Sequence, residues 1–361
     1  MKYFLSSLNY YRVFDVGEEI NLTTLSNRIL KEEGSVSRFS LKKVNRSLFV
    51  NEAPLLLSIG ELDFQEQKIQ AFVKIWNFGA ISLMFKFSYA TEMTIEEIKE
   101  KAIHIEKSPE LLNLAKEKVL QITQRFSDFI QSPKLANTYE DYLIFNFLDP
   151  DKKLSRDKFS HNHEIFALLL LEKSKISPFV IDKMQKDIYQ YGERDLVILD
   201  WNSALILEEH TEDTDLADVI EFSLTQMLEM QYYDDLLDNR TNALYQSLKK
   251  KKYSLLSNRY GELSEEAASV YLETSAVMEA IQNSLKVVGD YYYAEIFRAI
   301  STKFRFKDWQ QNIDKKLNNI AEISKLLQGE IYEKRSQLME LIIILLIAFE
   351  LIPFITTLFT K

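Results

Sequence analysis

Apolar and polar positions along the first 210 residues fall into short runs separated by turns, the pattern of strands and brief helices rather than of long helices. Residues 10–16 read as a strand, 21–30 as a short helix, and 47–50 and 55–59 as strands. The stretch KIWNFGAISLMFKF, residues 74–87, holds two runs rich in Ile, Trp, Phe and Met on either side of Asn77 and Gly79. It predicts a hairpin over 70–89. Thr94 followed by Glu97 has the spacing of a helix cap and opens a helix over 94–105, with another after Pro109, about 110–131. A strand over 139–150 ends at Pro150, and helices are expected over 163–171 and 178–190. In RDLVILDWNSALILEE, residues 194–209, the polar interruption Asp200 to Ser203 predicts a second hairpin. Each hairpin can hide one face, so a mixed sheet covered by helices is expected.

From Asp215 the period changes. Helices are expected over 215–251, 263–288, 292–327 and 331–359, with Gly261, Gly289 and Gly329 near the breaks. Ile313, Leu317, Ile320, Ile323 and Leu327 recur at three- and four-residue spacing, a stripe that another helix can cover in a bundle or a short antiparallel coiled coil.

Residues 341–359, LIIILLIAFELIPFITTLF, are interrupted only by Glu350, Pro353 and two threonines. At 1.5 Å per residue such a run approaches the roughly 30 Å hydrocarbon core of a bilayer. Its Leu, Ile and Phe residues favour insertion by about 4 to 8 kcal/mol against about 3 kcal/mol for one central glutamate. The run is therefore expected to be a transmembrane helix, with a buried hairpin helix or an oligomer core as the alternative. Lys334 and Arg335 before it outweigh Lys361 after it, which would leave the bulk of the chain on the cytoplasmic side of a cell inner or cytoplasmic membrane. The start of the chain shows no apolar core of a signal peptide. The expected class is α+β: a mixed α/β region over 1–210, a helical region over 211–339 and a single transmembrane helix over 340–360, with the lipid bilayer as a partner.

Composition narrows the chemistry. Of 361 residues 46% are apolar and 27% charged, with 8 Gly and 6 Pro, a balance that argues for a folded, helix-rich chain. A net charge of -10 weighs against a nucleic-acid surface. The absence of cysteine removes disulfides, thiolate metal sites and cysteine nucleophiles, and the four His form no HExxH pair. No phosphate loop, dinucleotide fingerprint, nucleophile elbow or kinase motif occurs, so enzyme chemistry has no sequence support and no cofactor is implied.

Candidate sites are few. Glu350, inside the apolar run, would favour its protonated form or pair with a polar group of another helix, marking self-association, or simply be tolerated at a shallow depth. Glu221, Glu229, Asp234, Asp235 and Asp238 form the densest acidic series, and Asp234 and Asp238 share a helix face that could offer oxygens to Mg²⁺ or Ca²⁺. The competing reading pairs them with Lys or Arg, Arg240 included, while Met227, Leu228, Leu236 and Leu237 pack inward. Trp76, Trp201 and Trp309 are expected in packing roles, His161 and His163 at the surface, and Lys249 to Lys252 at a helix end.

EKRSQLMELIIILLIAFELI, residues 333–352, together with GDYYYAEIFRAISTKFRFKDWQQNIDKKLNNIAEISKLLQ, KIWNFGAISLMFKF, DWNSALILEE and QMLEMQYYDDLLD, resembles the family called domain of unknown function 155, the family of proteins required for meiotic nuclear division. The resemblance implies a membrane-associated protein with a mixed α/β front and a helical back, and it marks Glu340 and Glu350 as family positions. The expected function is that of a single-span, membrane-anchored and noncatalytic scaffold that recruits a protein partner and self-associates as a homo-oligomer. The alternative is a membrane-linked enzyme or divalent-metal-binding regulator using the acidic helix over 221–238.

Overall fold

A computed structural model describes residues 2–33, 37–38, 53–65, 67–134, 138–149, 159, 162–192, 195–208, 215–249, 258–284 and 291–359, the side chains of 248–249, 280–284 and 353–359 excepted. The strand expected over 47–50, His161 and the Lys249 to Lys252 side chains lie outside the described residues. Two compact units are present, the first made of residues 1–232 and 281–307 and the second of 233–280 and 308–361.

The first unit is built on one mixed sheet. Its strands are β1 (Lys2–Asp15), β2 (Ser37–Arg38), β3 (Leu55–Phe64), β4 (Gln67–Ile75), β5 (Ala80–Thr94), β6 (Tyr139–Leu148), β7 (Ile188–Tyr189), β8 (Leu196–Leu199) and β9 (Ser203–Glu208). They lie in the order β2-β3-β4-β5-β1-β6-β9-β8-β7. All neighbours are antiparallel except β6 and β9, whose parallel pairing needs the long crossover between them. The β4–β5 turn closes with Ile75 opposite Ile81. Gly79 has φ +87°, and a Cβ there would meet the Gly17 carbonyl oxygen at 2.1 Å, so the turn requires glycine twice over.

Alternation sends the strands' side chains to two covered faces. On one, Leu8, Tyr10, Phe14, Leu83, Phe85 and Phe145 are buried in the main apolar core with α1 (Leu22–Glu33), α2 (Ile95–Glu106), α3 (Pro109–Arg125), α4 (His163–Leu169) and α5 (Pro178–Met184). The α2 start carries the expected capping box: the Thr94 hydroxyl accepts from the Glu97 N–H while the Glu97 carboxylate accepts from the Thr94 N–H. On the other face Tyr11, Val13, Lys74, Ser82, Tyr142 and Ile144 are buried. That face meets the first turns of α6 (Asp215–Lys249) and α8 (Tyr291–Lys303), where Phe222 lies between Trp76 at 5.7 Å and Phe297 at 5.8 Å.

The second unit contains the rest of α6, α7 (Arg259–Ser284) and α9 (Phe306–Phe359). Leu237 and Leu244 of α6, Leu263 and Ala267 of α7, and the expected stripe Ile313, Leu317, Ile320, Ile323 and Leu327 of α9 are all buried. The helix breaks differ from expectation. Gly329 sits inside α9 with nothing near its absent side chain, because one helical glycine costs only about 1 kcal/mol against an intact packing stripe. The chain turns instead at Phe304–Arg305, where Arg305 adopts φ +57° between the buried rings of Phe304 and Phe306.

The transmembrane expectation is corrected here. Among the described residues no helix is long and apolar enough to cross a membrane. The run that begins at Leu341 is broken by Glu350, a carboxylate that hydrocarbon disfavours, and by Pro353. With the span fall the transmembrane part of the α+β class, the single-pass membrane location, the lipid-bilayer partner and the membrane-anchored form of the scaffold.

Candidate functional site

The most concentrated chemistry of the first unit lies between the sheet and α6. A helix of 3.6 residues per turn that carries acids at 218, 221 and 229 turns them to one side, and here that side is the inner one. Lys74 of β4 places its Nζ 2.6 Å from Asp218 Oδ1 and also bonds Glu221 Oε2. The Ser82 hydroxyl of β5 donates to the other Glu221 oxygen. Lys74, Ser82, Asp218 and Glu221 are each at least nine-tenths buried.

Burial disfavours the Lys74 ammonium, but the charges and hydrogen bonds of the two carboxylates outweigh it and hold its pKa above the ordinary lysine range. Burial raises Glu221, with Lys74 opposing and Asp218 adding to the rise. Tyr11 is pushed well up by burial and then by Glu221 and Asp218, while its hydrogen bond to Asn9 opposes. One ammonium thus serves two carboxylates inside a closed layer. Such a cluster ties helix to sheet.

Two turns further along α6, Glu229 is raised well above the usual carboxylate range by burial, and Asp15 adds to the rise while Lys134 opposes it. Lys134 Nζ stands 3.1 Å from Asp15 Oδ2 and 3.7 Å from the centre of the Tyr232 ring. On the opposite sheet face Arg12, 2% exposed, donates to the Tyr10 hydroxyl at 3.0 Å, which donates to Asp141 at 2.7 Å. The Arg12 guanidinium lies over the rings of Tyr10 and Tyr139, at 4.9 and 5.4 Å from their centres.

The structure separates the acidic series that the sequence grouped. Glu221 belongs to the Lys74 cluster and Glu229 to the Asp15–Lys134 neighbourhood, both in the first unit. Asp234 and Asp238, in the second, hold the Lys316 ammonium at 2.7 and 2.8 Å. The four-residue spacing is therefore real but serves a lysine, and among the described residues no group of three or more His, Asp or Glu could hold a metal ion. The metal-binding alternative is corrected on that ground. Glu340 and Glu350 are both exposed on α9. Of the tryptophans, Trp76 is buried, Trp309 half-buried and Trp201 47% exposed; His163 is exposed in the first turn of α4.

Sequence reasoning missed Lys74, Ser82, Asp218 and Arg12. The signal was present for Lys74: Phe72 and Trp76 flank it on the same strand face, so that face had to be covered and its lysine paired. An open groove of about 570 Å³ beside His104 is edged by Lys107, Ser108, Lys173, Glu100 and Glu110, and the Ser108 hydroxyl in it accepts from the Leu111 N–H as the cap of α3.

The other unusual surface is the end of α9. From Leu341 to Ile352 every Leu, Ile and Phe is between 46% and 76% exposed, on all sides of the helix. Tyr260, at the start of α7, meets Lys334, whose Nζ lies 4.6 Å from the ring centre.

Comparison with known proteins returns a family other than the one that the C-terminal motifs resemble. The model described as "Uncharacterized protein MJ0711, N-terminal domain" matches residues 6–214. The protein of that name from Methanocaldococcus jannaschii is 24% identical over 281 residues, covering 75% of this chain and 84% of the relative. No solved structure matches. The resemblance to domain of unknown function 155 is thereby overturned. Its strongest motif was an aliphatic run with two glutamates, low in information, whereas the family match spans the β-rich first 214 residues. The chain belongs to the MJ0711 family.

Proposed function

We propose that the protein is an assembly protein that joins copies of itself through the end of α9. The observation that carries this reading is the apolar surface of Leu341 to Ile352, exposed around the whole helix. A helix apolar on every side is stable when other helices cover it. The inward pairing of Lys74, Asp218, Glu221 and Ser82 supports a noncatalytic role for the first unit, since these groups hold elements together and leave none of their number aimed at an open cleft.

Sedimentation of the full chain tests the reading. The expected result is a mass that is a multiple of 42.4 kDa, reduced to 42.4 kDa when Ile342, Leu346 and Phe349 are all replaced by Gln. A single-chain mass for the parent at micromolar concentration would overturn it.

A further inference from the structure

The run has an orientation written into it. Steps of 100° per residue place Arg335, Met339, Ile342, Leu346 and Glu350 within about 80° of one another, so they form one stripe along α9. All five are exposed. The stripe is apolar in its middle, cationic at one end and anionic at the other. Arg335 and Glu350 are fifteen residues apart, about 22 Å along the axis.

Two such stripes complement each other in only one direction. Parallel helices in register set Glu350 against Glu350 and Arg335 against Arg335, which repels at both ends. Antiparallel helices sharing a midpoint between Ile342 and Ile343 set each Arg335 level with the other copy's Glu350 and each Met339 level with the other copy's Leu346. The same two-fold axis satisfies both charge pairs, as an interface between identical copies requires. We infer that α9 pairs with α9 of a second copy in antiparallel fashion, in the register that joins Arg335 to Glu350. The inference rests on the self-assembly reading above and adds its geometry.

Because the chain has no cysteine, single cysteines report the register directly. The full chain is prepared as Met339→Cys and as Leu346→Cys, one of them tagged, then mixed and oxidised. Antiparallel pairing gives the mixed disulfide dimer at least about tenfold over either self-dimer. In parallel, Arg335→Glu (R335E) and Glu350→Arg (E350R) each weaken self-association roughly tenfold, since each places two like-charge contacts in the dimer, and the double exchange R335E/E350R restores it.

Self-dimers of Leu346→Cys without the mixed product, or charge variants that leave association unchanged, would overturn the antiparallel register while the chain still sedimented as a multimer. A parent chain that sediments as one copy would overturn the assembly reading itself. All five positions are exposed, so at dilutions where the chain is a single copy each variant is expected to keep the parent's unfolding midpoint, and that measurement separates loss of pairing from loss of fold.

Discussion

Helix α6 and helix α9 invert each other's chemistry. The first turns of α6 carry Asp218, Glu221 and Glu229 inward against a sheet, each nine-tenths or more buried, while the last turns of α9 carry leucine, isoleucine and phenylalanine outward. Mean hydropathy reads both backwards, ranking the α6 acids as surface and the α9 run as interior. What separates them is partners. The α6 acids have Lys74, Ser82 and Lys134 within the same unit to repay part of their desolvation, whereas the Leu341–Ile352 side chains keep about half of their surface open. Burial of charge inside a unit therefore speaks of how that unit is held together, and exposure of hydrocarbon speaks of what it meets.

The sharpest way to break this comparison is to remove the cation. Lys74→Met (K74M) leaves Asp218 and Glu221 buried without their ammonium, and the expected cost is about 3 to 5 kcal/mol in urea unfolding. Adding Glu221→Gln should recover a substantial part, because the neutral amide needs no counter-charge. A K74M protein within about 1 kcal/mol of the parent would mean that the cluster is wetter than its burial indicates.

Glu229 gives the next effect, and its sign follows from linkage. Its folded pKa lies well above the ordinary 4.5, so the folded state holds a proton that the unfolded state has released. Stability is then greatest below about pH 4.5 as far as this group is concerned, and falls as pH rises from there through the folded pKa. Asp15 strengthens the effect and Lys134 weakens it. Glu229→Gln (E229Q) should gain about 1 kcal/mol or more near pH 7 and flatten the fall in denaturation midpoint between pH 5 and 7. An unchanged slope would show that Glu229 is ionised in the folded state with water beside it.

These contrasts also show how much was legible beforehand. The β4–β5 and β8–β9 hairpins and the α2 cap were readable because Asn77–Gly79, Asp200–Ser203 and the Thr94–Glu97 pair are local signals. The sheet order was not, since the pairing of β1 with both β5 and β6, and of β6 with β9, depends on contacts 60 or more residues apart. The break at Phe304–Arg305 was hidden because no glycine or proline marks it, Arg305 itself taking φ +57° between two buried aromatic rings. The site was half legible: Glu221 and Glu229 stood out, but Asp218 was not singled out and the partner Lys74 lies 144 or more residues away in sequence, so that its flanking aromatics alone could not name the acids it meets.

Asp234 and Asp238 test the middle of the range. Both hold Lys316, yet Asp234 is 16% exposed and Asp238 58%, so solvent screens the second contact far more. Asp234→Ala is expected to cost about 1 to 2 kcal/mol and Asp238→Ala less than about 1 kcal/mol, with neither value altered by millimolar Mg²⁺ or Ca²⁺. A stabilisation by either ion that both substitutions abolish would return the pair to metal chemistry.

The smallest expected effect sits at the other end of the comparison. Ile344 is 59% exposed in the single chain, so Ile344→Gln gives up little buried area there and should change its stability by no more than about 0.5 kcal/mol. The measurement needs dilution to concentrations at which the chain sediments as one copy, because association would add its own stabilisation and make the midpoint depend on concentration. At high concentration the same substitution should lower the midpoint further, and the difference between the two conditions isolates what a second copy contributes. If Ile344→Gln cost several kcal/mol even at high dilution, the end of α9 would be covered within its own chain, and the contrast with the buried acids of α6 would vanish.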